Sequence, residues 1–309
     1  MEKRFESFFA CTDENGVSNF EKIRQNQKII RRVASTDKSR SFEAAEGSAF
    51  HDGLVYEDGK LIGFGIHIFN EDVYPLQSFE IYLRSCALTG ELDLSGCEDL
   101  VFVDLYHNQI GAVGTKNLPA MRIFGVQDNA LTALDPTQMP AVQGIDAGQN
   151  KLTGIDVSRN PELVELYVNN NRLTEIDLTH NPKLKYFYCH GNKMTRLDTT
   201  QNPLLRHLNA ADNPMMEICS LAPQRETRLP LTVRAGEGGH VGLRFNPVYN
   251  AQWKETGEWQ QTYYAYPEEG YSFTGWKDET GSIVNKDAAW VDTYGESRVL
   301  TAVFERSVN

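Results

Sequence analysis

An asparagine recurs every 21 residues through the middle of the chain, and this spacing constrains the fold more than any other feature. The six positions are Asn108, Asn129, Asn150, Asn171, Asn192 and Asn213. A proline keeps the same interval at Pro119, Pro140, Pro161, Pro182 and Pro203. A fixed period of about 20–50 residues is typical of a stack of similar structural units. The central part of the chain is therefore predicted to be a solenoid.

Apolar residues follow the same interval. Five columns hold register over six units and begin at Leu100, Val103, Leu105, Ile110 and Val113. The resulting pattern, L-x-x-L-x-L-x-x-N-x-L, is the signature of a leucine-rich repeat. A less regular copy precedes the six units, with Cys86 in the asparagine position. We predict an α/β-type leucine-rich-repeat solenoid over residues 79–221, right-handed, mostly β and irregular, with few helices.

Each 21-residue unit is expected to supply one short strand, and neighbouring strands should lie parallel about 4.8 Å apart. The chain turns after each strand and leaves backbone groups facing the interior. An asparagine amide carries both a donor and an acceptor for those groups, so the asparagine column is predicted to be structural. Asp156, Asp177 and Asp198 recur in the return path, where aspartates cap turns. Calcium binding by this aspartate column is the alternative.

Residues between the inward columns must point to the opposite, concave face of the sheet. The solenoid core does not require aromatic residues there, yet three tyrosines should meet on adjacent strands. Tyrosine combines apolar area with a polar tip and suits interfaces, although strands also favour it intrinsically. We predict a ligand-binding face formed by Tyr167, Tyr186, Tyr188, Asp146, Glu165, His190 and His207.

The periodicity stops after Leu221, and residues 222–228 are predicted to form a linker because this stretch is polar and is flanked by Pro223 and Pro230. Residues 229–309 alternate apolar and polar positions between glycine-bearing turns, which indicates a small β-rich, β-grasp-like domain. Trp276 is expected in its core. The glycine-rich stretch 236–239 lacks the G-K-[ST] ending of a phosphate loop, so a turn is expected.

The segment before the repeats shows two further patterns. Residues 1–50 are predicted to be helical or flexible, with a short amphipathic helix over residues 19–33 that carries Lys22 among its charges. Such a basic helix presents its charges either to water or to an anionic membrane. Residues 51–78 show strand alternation around the turn signal Asp58-Gly59. They are predicted to be a β-containing cap on the first repeat.

Composition excludes several classes of function. The formal net charge of −12 argues against nucleic acid as a partner. The five cysteines form no C-x-x-C pair and imply no disulfide framework, although a bridge between Cys86 and Cys97 stays open. The sequence contains no apolar run of about 20 residues that could span a membrane.

The histidines fit no catalytic motif. The seven of them are scattered, and none lies in an H-E-x-x-H sequence. Asp146, Glu165 and His190 could approach one another as acid and base groups, but no nucleophile accompanies them. We therefore predict a non-catalytic protein without a metal or cofactor.

Two stretches of sequence resemble known families. The phrase LTEIDLTHNPKLKYFYCHGNKMTRLD looks like the 21-residue, internalin-like leucine-rich repeats of bacterial surface and secreted proteins. Residues 229–306 resemble the divergent internalin B-repeat module, through LTV at 231–233, GYSFTGW at 270–276 and LTAVF at 300–304. The two resemblances together imply an extracellular or cell-surface protein.

The function expected from these resemblances is binding of a protein or surface glycan through the concave face, by a monomer. A structural spacer without a ligand of its own is the alternative, and a glycan-processing enzyme is a third. The first residues lack the charged-then-apolar pattern of a signal peptide, so an intracellular location also stays open.

Overall fold

Short strands separated by turns account for almost all of the regular structure. The computed structural model describes residues 7–8, 10–19, 21–22, 49–51, 54–57, 60–64, 79–98, 100–222, 229–252, 254–292 and 298–307. Two units make up the chain, Met1–Val142 and Gln143–Asn309. The strands of the first unit are β1 (Ala49–His51), β2 (Leu54–Glu57), β3 (Lys60–Phe64), β4 (Phe79–Tyr82), β5 (Thr89–Asp93), β6 (Leu100–Asp104), β7 (Gln109–Gly114) and β8 (Ile123–Gly125).

The second unit contains the later repeats and the C-terminal module, which we define as residues 229–307. Its repeat strands are β9 (Gly144–Asp146), β10 (Glu165–Tyr167), β11 (Tyr186–Tyr188), β12 (Arg196–Asp198), β13 (His207–Asn209) and β14 (Glu217–Ala222). Its module strands are β15 (Leu229–Ala235), β16 (Gly239–Tyr249), β17 (Glu255–Pro267), β18 (Tyr271–Lys277), β19 (Ile283–Asn285), β20 (Ala289–Asp292) and β21 (Arg298–Arg306).

The repeat strands pair in parallel with the predicted 21-residue register. In the first unit, β6 pairs with β4 and with β8, so that Val103 faces Phe124. In the second unit, β10 lies between β9 and β11, and Leu166 faces Ile145 on one side and Phe187 on the other. Strand β13 follows β11 in the same sheet. This register confirms the leucine-rich-repeat solenoid that the sequence predicts.

The apolar columns fill the core of each unit. Four of the five are at most 2% exposed at every position, namely those beginning at Leu100, Val103, Leu105 and Ile110. The fifth is less uniform, since Val113, Ile155 and Ile176 are half-buried. Each strand places one residue of the second column inward, so a single coil cannot cover its own apolar edges and the coils must stack.

The recurring asparagines bind the backbone of neighbouring coils. The Asn171 amide donates to the carbonyl oxygens of Ala147 (2.9 Å) and Val168 (3.1 Å), and its Oδ1 accepts from the N–H of Leu152 (2.9 Å). Asn192 repeats these contacts one coil later, with Val168 O, Cys189 O and Leu173 N at 2.9 Å each. In the first unit, Asn108 accepts from two N–H groups of the irregular first repeat. One side chain thus joins two coils and satisfies three buried groups.

A second asparagine column lies in the return path, immediately before the repeated prolines. The Asn181 amide donates to the carbonyl oxygens of Val157 and Asn160, both at 2.9 Å. Asn202 makes the equivalent bonds to Leu178 and Asn181. The sequence analysis did not single out these positions. Because their exposure is at most 1%, they serve the interior and form a second ladder on the far side of the coil.

The aspartate column caps turns. Asp177 Oδ1 accepts from the backbone N–H of Thr179 (2.9 Å) and from its hydroxyl (2.7 Å). Asp198 makes the same pair of bonds with Thr200. The bonds from Thr179 lower the pKa of the Asp177 carboxyl beneath its ordinary value, because they favour the charged form. These contacts are those of the predicted turn caps.

An N-terminal segment packs on the first repeat. Asn19 is fully buried, and its amide donates to Thr89 O (2.8 Å) while its Oδ1 accepts from Thr89 N (3.0 Å). Lys22 donates to Ala87 O (2.9 Å) and pairs with Asp13 at 3.2 Å. Lys22 is therefore buried in an ion pair and belongs to neither a solvated nor a membrane-facing helix surface. The remainder of the predicted amphipathic helix, residues 23–33, lies outside the described residues.

The strands predicted around Asp58-Gly59 are present in part. Strands β2 and β3 pair antiparallel, from Leu54 opposite Phe64 to Glu57 opposite Lys60. Strand β1 adds to the other edge of β2. The two turn residues themselves, and residues 65–78, lie outside the described residues. The role of residues 51–78 as a cap on the first repeat stays a prediction.

The C-terminal module continues both sheets of the second unit. Strand β16 pairs antiparallel with β13, and β15 pairs antiparallel with β14 from Arg234 opposite Glu217 to Leu229 opposite Ala222. The sequence predicted a linker at this point, because its polar composition gives no sign of the pairing on either side. Residues 223–228 lie outside the described residues. The module is thus joined to the last repeat by two hydrogen-bonded strand pairs.

An aromatic cluster forms the core of the module. Trp276 is fully buried as predicted, and its Nε1 donates to Asp287 O at 3.0 Å. Tyr263 lies 6.0 Å from it and Phe273 lies 5.6 Å from it, between ring centroids. The stretch 236–239 forms the expected turn, where Gly238 has φ +89° and Tyr271 lies against its Cα.

Each of the five cysteines lies among the described residues, and none of them is in a disulfide. Cys86 and Cys97 are buried as separate thiols. Cys189 is fully buried in the third apolar column. Burial raises the pKa of its thiol well above the ordinary value, so this cysteine behaves as an apolar core residue.

Replacing Asn171 by alanine tests the asparagine ladder. The change leaves Leu152 N without its side-chain acceptor, whereas Ala147 O keeps the Asn150 amide and Val168 O keeps the Asn192 amide as donors. One buried group left unsatisfied lowers the free energy of unfolding by about 1–3 kcal/mol, which is the expected loss. Urea unfolding followed by circular dichroism measures this.

The matched control is Asn169→Ala, two residues earlier, where the side chain is half-exposed on the other face of the sheet. It should change the free energy of unfolding by about 0.5 kcal/mol or less. Equal losses in the two variants would show that the amide of Asn171 has no special role.

Candidate functional site

The predicted binding residues lie together on the outer face of the second unit's sheet. We call this set the tyrosine face, and it consists of Asp146, Glu165, Tyr167, Tyr186, Tyr188, His190 and His207. In each of strands β9, β10, β11 and β13 the central residue is buried, so the residues on either side of it point outward. Register aligns Glu165 with Tyr186 and His207, and it aligns Asp146 with Tyr167 and Tyr188.

The two central tyrosines pack edge to face. The ring centroids of Tyr167 and Tyr188 are 5.2 Å apart with an interplanar angle of 74°. The Tyr167 hydroxyl donates to Glu165 Oε2 at 3.2 Å. Burial raises the pKa of Tyr167, and the neighbouring Glu165 carboxylate raises it further. Both phenols are thus held in one orientation, neutral and half-buried, and offer a preformed apolar surface with polar tips.

The side chain of His207 is buried beneath neighbouring aromatic residues, which the sequence did not predict. Its ring stacks on Tyr186 with centroids 4.5 Å apart and planes at 17°, and its Nε2 lies 3.4 Å from the Tyr249 hydroxyl. It is 8% exposed. Tyr249 ends strand β16 of the module, and the sequence treated that module as separate. His207 therefore supports Tyr186 from beneath, and Tyr186 and Tyr249 present the accessible surface.

His190 lies at the other end of the face. Its ring is 6.4 Å from that of Tyr188, and its Nδ1 is buried without a hydrogen-bond partner among the described residues. Burial lowers the pKa of His190; the carboxylate of Asp212 opposes this change, and the guanidinium of Arg244 adds to it. Because its pKa is lowered, the ring is neutral at neutral pH.

The acid and base groups do not form a catalytic cluster. Glu165 is engaged by Tyr167, and Asp146 Oδ1 accepts from the N–H of Gly148 at 3.3 Å. Asp146 and His190 belong to coils two strands apart, which is roughly 10 Å at the usual strand spacing. Within the described residues, no group of three or more His, Cys, Asp or Glu side chains is placed to hold a metal ion.

The face continues onto the module, which the sequence analysis missed. Arg244 of β16 aligns with Asn209 of β13, and Thr262 of β17 aligns with Arg244. Tyr264 and Tyr266 follow on the same side of β17, with rings stacked 6.1 Å apart. The alternation in HVGLRF and TYYAY was visible in the sequence. Only the pairing of β13 with β16 shows which residues share the face.

The module matches a described family. Residues 229–308 fit the family model of the divergent InlB B-repeat domain. This match confirms the predicted resemblance and covers the final part of the chain, so it identifies the module and not the repeats. A search of curated proteins by sequence found no match.

Several solved structures are similar to this chain. The functional domain of InlJ from Listeria monocytogenes, which includes a cysteine ladder, is 18% identical with a TM-score of 0.41 over 68% of this chain. The chain spans 54% of that domain. YopM from Yersinia enterocolitica is 24% identical, with a TM-score of 0.32 over 40% of this chain and 31% of its own. A leucine-rich-repeat protein of Leptospira interrogans is 23% identical, with a TM-score of 0.29 over 31% of this chain and 26% of that protein.

In the part of the chain that the structure describes, every helix is too short or too polar to cross a bilayer.

Replacing His207 by glutamine tests its burial through the pH dependence of stability. Burial and the Arg206 cation lower the pKa of His207 beneath its ordinary value, which is about 6.5. The unfolded chain therefore takes up a proton at a higher pH than the folded protein does. The stability that comes from the neutral ring is complete above about pH 6.5 and is lost as the pH falls towards the folded pKa.

The urea concentration at the unfolding midpoint should decrease when the pH is lowered from about 7.5 to about 5.5 in the unmodified protein. The decrease should be smaller in His207→Gln. His180→Gln, at an exposed turn position, is the control and should retain the full decrease. An undiminished decrease in His207→Gln would contradict the burial of this ring.

Proposed function

We propose that this chain is a non-catalytic binding protein that presents the tyrosine face to a protein or glycan partner. The observation that carries the proposal is the alignment of Tyr167 with Tyr188 and of Tyr186 with His207 on adjacent strands. The core of the solenoid is complete without these side chains, since the central residue of each strand fills it. Rigid aromatic rings on an outer surface are typical of binding sites.

A location outside the cell, on a bacterial surface or after secretion, is part of the proposal. Its support is the resemblance of the repeats to the internalin-like repeats of bacterial surface and secreted proteins, together with the match of the module to the divergent InlB B-repeat domain. The cluster of half-buried tyrosines supports a binding protein over a plain spacer, because the core of the solenoid does not need these side chains.

The tyrosine pair gives the direct test. Changing Tyr167 and Tyr188 together to serine removes the edge-to-face pair and most of the apolar area between Glu165 and His190. Binding of any ligand selected on the full chain should weaken by about tenfold or more, equivalent to about 1.4 kcal/mol. Thermal stability should stay nearly unchanged, because the core residues between the tyrosines are retained.

Two libraries supply the ligands, a glycan array and a displayed library of random peptides, each applied to the immobilised full chain. Tyr271→Ser is the matched control, because Tyr271 is a half-exposed tyrosine of the module on the other sheet. A spacer would retain no ligand from either library. Ligands that bind the double variant as well as the unmodified chain would remove the tyrosine face as the site.

A further inference from the structure

An unpaired cation lies next to the tyrosine face. Arg244 is exposed on β16, and within the described residues its guanidinium forms no hydrogen bond and no ion pair. Its charge nevertheless acts on the tyrosine face, since it lowers the pKa of His190 and opposes the rise in that of Tyr188. Within the described residues, the exposed Arg159 and Arg172 of this unit likewise form no ion pair. Arg196 and Arg234 pair with Glu217, Arg206 pairs with Glu255, and Arg306 donates to Tyr271.

Arg244 differs from Arg159 and Arg172 in its position, because it aligns with Asn209 on the same side of the sheet as the tyrosine face. The residue opposite Arg244 on β13 is Asn209, and the residue opposite on β17 is Thr262. Both neighbours are uncharged, so neither offers a carboxylate to the guanidinium, which is accessible to a ligand on this face.

The opposite end of the same face is acidic. Asp146 lies on β9 and Glu165 on β10, and the strand order β9, β10, β11, β13, β16 places four steps between Asp146 and Arg244. At about 4.8 Å per step, the two charges are roughly 19 Å apart. The tyrosines lie between them. The face therefore has two carboxylates at one end, tyrosines at its centre and Arg244 at the other end, near which Asp212 contacts Tyr266.

The aromatic surface continues beyond Arg244. Tyr266 stacks on His240 with centroids 5.0 Å apart, and its hydroxyl lies 3.3 Å from both the backbone N and the Oδ1 of Asp212. A Cβ at Gly242 would lie 3.2 Å from the Tyr266 ring and 3.0 Å from Ala211 Cα. Glycine at this position lets Tyr266 lie close to the sheet and reach the last repeat. This contact fixes the module's part of the face against the solenoid.

We propose that the binding site spans the last repeats and the module, and that its ligand is a protein segment with a carboxylate opposite Arg244. Apolar side chains of that segment contact Tyr167 and Tyr188, and a basic side chain faces Glu165 and Asp146. This inference rests on the proposed function and assigns its partner class and a further binding residue, Arg244.

Charge complementarity favours a protein over a glycan. A polypeptide carries both signs of charge, as the two ends of this face require, and interfaces between proteins are enriched in tyrosine and arginine. An acidic glycan would match Arg244 and be repelled by Glu165 and Asp146. A neutral glycan would accept hydrogen bonds from the guanidinium but would carry no charge to complement either end of the face.

Selection from a displayed library of random 12-residue peptides on the immobilised full chain tests this inference. An extended segment needs about six residues to cover roughly 19 Å. The selected peptides should therefore carry an acidic and a basic residue about six positions apart, with apolar residues between them. Their affinity is then measured for the unmodified chain, for Arg244→Glu and for Arg172→Glu, by calorimetry on synthetic peptides.

Arg244→Glu should weaken binding by about tenfold or more, and exchanging the acidic residue of the peptide for lysine should restore it. Arg172→Glu makes the same charge change at an exposed position in a turn. Its affinity for the selected peptides should equal that of the unmodified chain. Arg244→Gln supplies a milder variant, and urea unfolding verifies that each protein is folded.

Two outcomes separate this inference from the function on which it rests. Peptides that lose affinity for the Tyr167→Ser, Tyr188→Ser double variant but not for Arg244→Glu would overturn the role of Arg244 and leave the tyrosine face as the site. Binding confined to a glycan array would overturn the protein partner. Peptides insensitive to both sets of changes would overturn the tyrosine face as well.

Discussion

The bond between an asparagine amide and the backbone of the adjacent coil is the contact on which the structure depends. A coil of 21 residues is too short for a return helix, so the chain must turn sharply after each strand and leaves N–H and C=O groups inside. Asn171 and Asn192 satisfy those groups across the coil boundary. Asn181 and Asn202 donate to carbonyl oxygens of the preceding coil on the far side. These bonds between coils accompany the stacking of the apolar columns.

The same arrangement leaves the outer side of the sheet free to vary. Each strand is fixed by one buried residue and its hydrogen bonds, so the residues on either side of that position are not needed by the core. In the second unit those positions hold tyrosines, carboxylates and histidines in register. The tyrosine rings pack against neighbouring rings on this surface, and side chains that are ordered before binding lose little conformational entropy when a partner binds.

Periodicity made most of the repeat architecture predictable, because the spacing of equivalent residues along the sequence determines which residues align on neighbouring strands. The columns, the strand positions and the outward side of Tyr167, Tyr186 and Tyr188 all follow from it. Lys22, His207 and Arg244 were not predictable in the same way. Their surroundings come from contacts between segments distant in sequence: Lys22 with Ala87, His207 with Tyr249, and Arg244 with Asn209. A single sequence carries no signal for these pairings.

The direct pairing of β16 with β13 has a consequence for how such a surface can change during evolution. Because the module is hydrogen-bonded to the final repeat strand, gain or loss of one whole coil between β9 and β13 would move the module by one strand spacing, about 4.8 Å. The carboxylates and the guanidinium would keep their local surroundings while the gap between them lengthened or shortened by that step. Duplication of a single 21-residue unit could thereby alter partner choice in discrete increments, without any new side chain at either end.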